Sequence, residues 1–201
     1  MTTIRSPLAF GMGLYSGYDQ EKPPKGGSDG KELSMPGAYS EPFEAPLRKV
    51  ESDWIDLNGH MNMAYYNLLF DEGLDALFNE LGIGWEYTKQ GEGSCFTAEI
   101  HVTYLDELSE GEPVRVTYQL LDWDEKRLHL FGRMYHATEG YLAATSEQMA
   151  IHVDMKSRRA APMPQSVQEV AAAIMKDHTS LEQPEQAGRV IGIRRKKEQT
   201  A

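Results

Sequence analysis

From Asn62 to Gly82 apolar side chains recur at helical spacing, and in four stretches between Phe96 and Val153 they recur at about every second residue. In the first stretch Tyr66, Phe70, Gly73, Leu74, Leu77 and Leu81 form one stripe, the mark of a helix buried on one face. Asn62 suits the N-cap, and Gly82 and Gly84 stop the helix as C-terminal glycines do. Gly73 costs about 1 kcal/mol against alanine in a helix, so it is expected to mark a close approach to a sheet. Phe96, Ala98, Ile100, Val102 and Tyr104 then alternate with polar residues, and Val114, Val116, Tyr118 and Leu120 make a second strand. The turns at Asp122–Glu125 and Glu139-Gly140 separate two more, Leu128–His136 and Tyr141–Val153, with spacings that suit antiparallel hairpins. A weaker first strand reads over residues 45–52. One helical face must be buried on one sheet face, so the fold class is α+β: a long helix on a curved antiparallel sheet of five strands.

The flanks read differently. The first 43 residues hold 7 of the 18 glycines and 5 of the 10 prolines and show no apolar period. Such a segment buries too little to offset its ordering entropy. Residues 1–43 are therefore expected to be a disordered arm, with Met35 an alternative start. Residues 44–177 are the folded domain, closed by Pro162, Pro164 and a short helix, Val167–Lys176, which a Ser166/Glu169 capping box would begin. Residues 178–201 read as a flexible tail ending near Arg194-Arg195-Lys196-Lys197.

A formal charge of −11 and a pI near 5.0 argue against a nucleic-acid surface. Cys95 is the single cysteine, so no disulfide forms within the chain and a reducing, cytoplasmic setting is expected. No apolar run nears the roughly 18 residues of a membrane span, and the N-terminus lacks a secretory profile. No histidine pair sits four apart with an acidic partner, so neither a metal nor another cofactor is expected.

The chemistry gathers just ahead of the helix. Asp56-Leu57-Asn58-Gly59-His60-Met61-Asn62 places a carboxylate, a tight turn, an imidazole and a carboxamide beside a helix N-terminus. A carboxylate can attack a carbonyl or activate water. The first-turn N–H groups of Met63 and Ala64 lack helical partners and lie at the positive end of the dipole. A developing oxyanion held there gains roughly 3–4 kcal/mol per good donor. The plainer reading is an Asx turn at Asp56 and an ordinary cap at Asn62.

Asp-x-x-Gly-His-Met-Asn at 56–62, with Tyr65, Tyr66 and Phe70 behind it, resembles the hotdog-fold acyl-CoA thioesterases of the 4-hydroxybenzoyl-CoA thioesterase type, over roughly residues 45–164. Trp54–Met61, Glu125–Phe131 and Glu147–Asp154 are similar, more narrowly, to the thioesterases of bacterial carnitine breakdown. Those act on betainyl-CoA and are sometimes fused to carnitine dehydrogenase.

The resemblance implies a thioester hydrolase acting on a short or polar acyl-CoA, betainyl-CoA first. It implies a homodimer or a dimer of dimers with the sheet continuing across the interface and a shared active site. Asp56 becomes the catalytic carboxylate, as nucleophile or as base for water. His60 holds Asp56 or the substrate carbonyl, and Asn62 and Met63 complete the helix start. Trp54, Tyr65 and Trp85 are the substrate-binding candidates, with Tyr87 and Trp123 as further loop aromatics. A quaternary ammonium favours such faces by about 1–2 kcal/mol each when dry. Lys126, Arg127, Lys156, Arg158 and Arg159 are available to coenzyme A phosphates. Glu72 is the reserve carboxylate, while His101, His129, His152 and Cys95 read as structural. The rival readings are a non-catalytic acyl-CoA-binding protein and a hotdog hydratase or dehydratase.

Overall fold

The computed structural model describes residues 39–193; residues 1–38 and the Arg194–Lys197 run lie outside the described residues. The chain opens with β1 (Phe43–Glu44) and β2 (Arg48–Lys49), then a 3-10 turn at Ser52–Trp54. The long helix α1 (Met63–Leu81) and the short α2 (Trp85–Lys89) follow. Four long strands come next: β3 (Gly93–Tyr104), β4 (Pro113–Trp123), β5 (Arg127–His136) and β6 (Leu142–Asp154). A short β7 (Arg159–Ala160) and α3 (Gln165–His178) complete the order. The sheet runs β1-β4-β5-β6-β3, with β2 beside β1 on β4 and β7 on β6, and every pairing is antiparallel. This is the α+β hotdog arrangement, five strands deep, with α1 across its inner face.

Asn62 caps α1, its Oδ1 accepting from the Ala64 N–H at 3.0 Å. Gly82 ends the helix in the left-handed region at φ 80°, where a side chain is strained. The expected stripe is buried, with Leu69 and Phe78 added, and each large side chain removed from water contributes about 1.5–3 kcal/mol. Gly73 lies where a Cβ would come within 3.2 Å of Tyr118 and Val116, so the predicted close approach is present. The Tyr118 hydroxyl, buried beneath the helix, donates to the Phe70 carbonyl.

Three expectations are corrected. The first strand is broken into β1 and β2 rather than continuous over 45–52. Ala45 N–H still reaches the Val116 carbonyl of β4 and Val50 N–H the Glu112 carbonyl just before it, but Pro46 between them has no N–H to donate. The capping box is not formed: Pro164 occupies the N-cap without a side-chain bond, and Glu169 accepts from Gln165 instead. The folded part also begins before residue 44 and runs past 177. Tyr39 N–H donates to Asp177, and Phe43 pairs with Tyr118. The Gln119 amide donates to the Glu182 carbonyl, and Gly188 N–H reaches Glu147 at 2.7 Å. Composition did not show these short segments, because their partners are polar groups on the sheet and α3.

Candidate active site

Residues 54–62 form a closed loop. Ile55 and Met61 pair as an isolated bridge, Asp56 N–H donates to the His60 carbonyl, and Asn62 N–H returns to the Trp54 carbonyl. Gly59, at φ 86°, permits the reversal. The Met61 N–H donates to the Leu108 carbonyl at 2.7 Å, which ties the loop to the segment after β3. A carboxylate is thereby delivered to the start of α1 by backbone pairing alone.

Asp56 is half-buried. Its Oδ1 accepts from the Asn58 N–H at 2.7 Å, while Oδ2 has only a 3.5 Å contact to the Asn58 amide. The Asx turn is therefore real, and it leaves one carboxylate oxygen without a short hydrogen bond. Asn62 uses its side-chain oxygen on Ala64 N–H, so of the two expected oxyanion donors Met63 N–H is the one with no partner among the described residues. The Met63 side chain is exposed. Tyr104, at the end of β3, holds the first turn from outside: its hydroxyl donates to the Met63 carbonyl and accepts from the Asn67 amide.

His60 does not hold the Asp56 carboxylate. Its Nε2 lies 2.9 Å from Glu107 Oε2, a partner 47 positions away that no local pattern announces. Glu107 and Tyr104 are the two residues the sequence reading missed; only the end of the β3 alternation pointed to Tyr104. Trp54 is corrected too. It is buried and stacks on half-buried Tyr65 with ring centroids 5.3 Å apart, so it supports the loop from within. Trp85 is exposed, with Lys89 Nζ 5.3 Å from its ring centroid. It follows the C-terminus of α1, about 28 Å along the helix axis from Met63, and cannot reach Asp56 of its own chain.

The remaining candidates sort by their contacts. Glu72 is ion-paired with Arg48. His129 lies 2.8 Å from Glu147, and His152 accepts from the Tyr87 hydroxyl at 2.9 Å while its Nδ1 donates to the Ala161 carbonyl. Burial pushes the Cys95 thiol up to about 12, far from a useful nucleophile. No cluster of three metal-ligating side chains occurs among the described residues, and no helix there is long and apolar enough to cross a membrane. A cavity of about 480 Å³ lies between the last turns of α1, α3 and Tyr39–Phe43. It is remote from Asp56 and has no helix start facing it.

The family model described as the thioesterase-like superfamily matches residues 50–171. An L-carnitine dehydrogenase/betainyl-CoA thioesterase of Rhizobium meliloti is 37% identical over 182 residues, 90% of this chain and 36% of that protein. The chain thus spans about a third of the length of that relative. A betainyl-CoA thioesterase of Pseudomonas aeruginosa is 38% identical over 75% of this chain and 93% of its own length. A Staphylococcus aureus protein solved in complex with CoA superposes with a TM-score of 0.71 at 34% identity, covering 77% of this chain and 96% of that one.

Proposed function

This chain belongs to the thioesterase-like superfamily, and on that footing we propose that it hydrolyses an acyl-CoA thioester with a small cationic acyl group, betainyl-CoA in carnitine breakdown being the first choice. The observation that carries the reading is the 54–62 loop, which sets a carboxylate oxygen and the open Met63 N–H around one corner of α1. The thioester carbonyl oxygen sits at Met63 N–H, where negative charge gains the helix dipole and a hydrogen bond. Asp56 then acts in one of two ways. Its carboxylate adds to the carbonyl carbon, the C–S bond breaks with loss of CoA thiolate, and water cleaves the mixed anhydride. Alternatively it takes a proton from water, whose hydroxide adds and expels the same thiolate. Both routes give the free acid and CoA.

The acyl preference rests on charge and on the relatives' names. From Val50 to Val114 the chain carries fourteen acidic residues and one lysine. Asp56, Asp106 and Glu107 stand around the loop, and a trimethylammonium group is favoured in such a field. The CoA phosphates require cations, which the later Lys126, Arg127, Lys156, Arg158 and Arg159 supply. A dimer through the free edge of β3, where Ile100 and Tyr104 are exposed, completes the reading. We place the enzyme in the cytoplasm, where a chain whose single thiol, Cys95, is half-buried stays reduced. A hydratase reading is disfavoured because His60 contacts Glu107 and leaves Asp56 alone.

The test is a panel of acyl-CoA esters assayed for released thiol. Betainyl-CoA should show a higher kcat/KM than neutral isovaleryl-CoA of similar size. Equal rates would remove the cationic assignment, and no release from any ester would remove the hydrolase.

A further inference from the structure

We propose that the aromatic wall facing the acyl group at Asp56 is Trp85 of the partner subunit, not the chain's own Trp85. The proposal rests on the thioesterase reading above and adds which copy of the chain supplies the pocket.

The two halves of the site lie at opposite ends of one strand. At the C-terminal end of β3, Tyr104 holds the first turn of α1, Met61 bonds Leu108 and His60 meets Glu107. At the N-terminal end, α2 is pinned to the strand by Tyr87. A Cβ on Gly93 would fall 2.2 Å from the Tyr87 hydroxyl and 2.5 Å from His152 Nε2, so glycine is required for this contact. Roughly 36 Å of strand separates Gly93 from Tyr104. Trp85, on α2, is therefore stranded in the monomer, with an exposed ring against which Lys89 lies.

Among the described residues β3 is the free edge of the sheet, and its exposed middle, residues 97–100, selects how a second copy pairs. Antiparallel pairing about a two-fold axis sets the axial residue against itself. An axis at Glu99 opposes two carboxylates, which is unfavourable. An axis at Thr97 or Ala98 falls beside or on the bulge between Thr97 and Glu99. An axis at Ile100 sets exposed apolar side chains together and places Glu99 opposite His101 of the partner subunit, twice over. Glu99 and His101 project from the outer face, because His101 pairs with Glu147 and Ile100 with buried Gln148. This register sets Tyr104 against the partner's Phe96 and brings Glu107 level with the partner's Gly93, where its strand starts. The loop just beyond Tyr104 then stands beside the partner's α2, with the partner's Trp85 against the acyl side of Asp56.

Two experiments decide it. Ile100→Cys should form a disulfide between protomers on mild oxidation, since paired Cα atoms in a ladder lie within disulfide reach; a variant dimer that stays uncrosslinked overturns the register. Next, Asp56→Asn and Trp85→Ala chains with different tags are co-expressed, and the mixed dimer is isolated. The Trp85→Ala homodimer should lose roughly five- to thirty-fold of its betainyl-over-isovaleryl preference, the size of one cation–π contact. In the mixed dimer, the one site holding Asp56 belongs to the Trp85→Ala chain and faces an intact Trp85 on its partner. Its preference should equal the wild type's at about half the activity per dimer. A preference as low as that of the Trp85→Ala homodimer means Trp85 acts within its own chain. An unchanged preference in the Trp85→Ala homodimer means it does not touch the acyl group. Either result overturns the proposal and leaves the hydrolase standing, whereas a wild type that cleaves no ester fails the reading beneath it.

Discussion

One oxygen of Asp56 is tied to the Asn58 N–H and the other is not, so its two roles can be separated. Asp56→Asn keeps an oxygen acceptor for Asn58 N–H and preserves the turn, but removes nucleophile and base together. Turnover should fall at least ~100-fold, the scale of a positioned acid–base group, with KM and melting temperature little changed. Steady-state kinetics beside a thermal melt check this, and near-normal turnover would reduce Asp56 to a turn residue. His60 shows the limit of motif reading at this scale. Its place after Gly59 was legible, but its ring partner, Glu107, lies across a strand and a loop, a separation no spacing rule covers.

Among the elements, α3 buries Val167, Ala171 and Ile174 in the core and is pinned to the sheet by one imidazole. His178 is buried; its Nδ1 accepts from the Leu120 N–H at 2.9 Å and its Nε2 donates to the Glu41 carbonyl. Desolvation by burial lowers its pKa below the ordinary 6.5, against smaller opposing effects of those backbone contacts and Asp177. The folded state therefore prefers the neutral ring. Its contribution is complete above the unfolded value and is lost as pH falls from about 6.5 toward the lower folded value. His178→Ala should cost about 1–3 kcal/mol near pH 8, because Leu120 N–H is left buried without an acceptor. Urea unfolding should show a smaller gap between variant and wild type at pH 5.5 than at pH 8. A gap that widens on acidification would contradict the neutral assignment.

For the whole molecule, the decisive feature is the edge of β3, unpaired among the described residues. Exposed edges invite pairing with another chain, and here the edge carries Ile100 flanked by Glu99 and His101. Ile100→Glu would place two carboxylates face to face at the proposed axis. The variant should elute as a monomer at concentrations where the wild type is a dimer. Its specific activity should fall on dilution in step with the dimer fraction, because each site lacks the neighbouring copy's α2. Light scattering coupled to size exclusion, with activity measured across the peak, reads both. A dimeric and fully active Ile100→Glu protein would move the interface elsewhere.

What the sequence determined by itself is whatever local periodicity and local hydrogen bonding decide. The helix from Asn62 to Gly82 was legible because its cap, its stripe and its glycine stop all act within a few residues. The four long strands were legible because alternation is a property of each strand alone, and the Asp56 turn because the bonds that close it on itself span at most eight positions. The tertiary structure decided the remainder. It placed Glu107 on His60, buried Trp54 against Tyr65, clasped α3 through His178, and set Trp85 a helix length away from the carboxylate it was grouped with. Those outcomes depend on contacts between segments far apart in the chain, whose distances are set by the sheet and carry no periodic trace in the residues that make them.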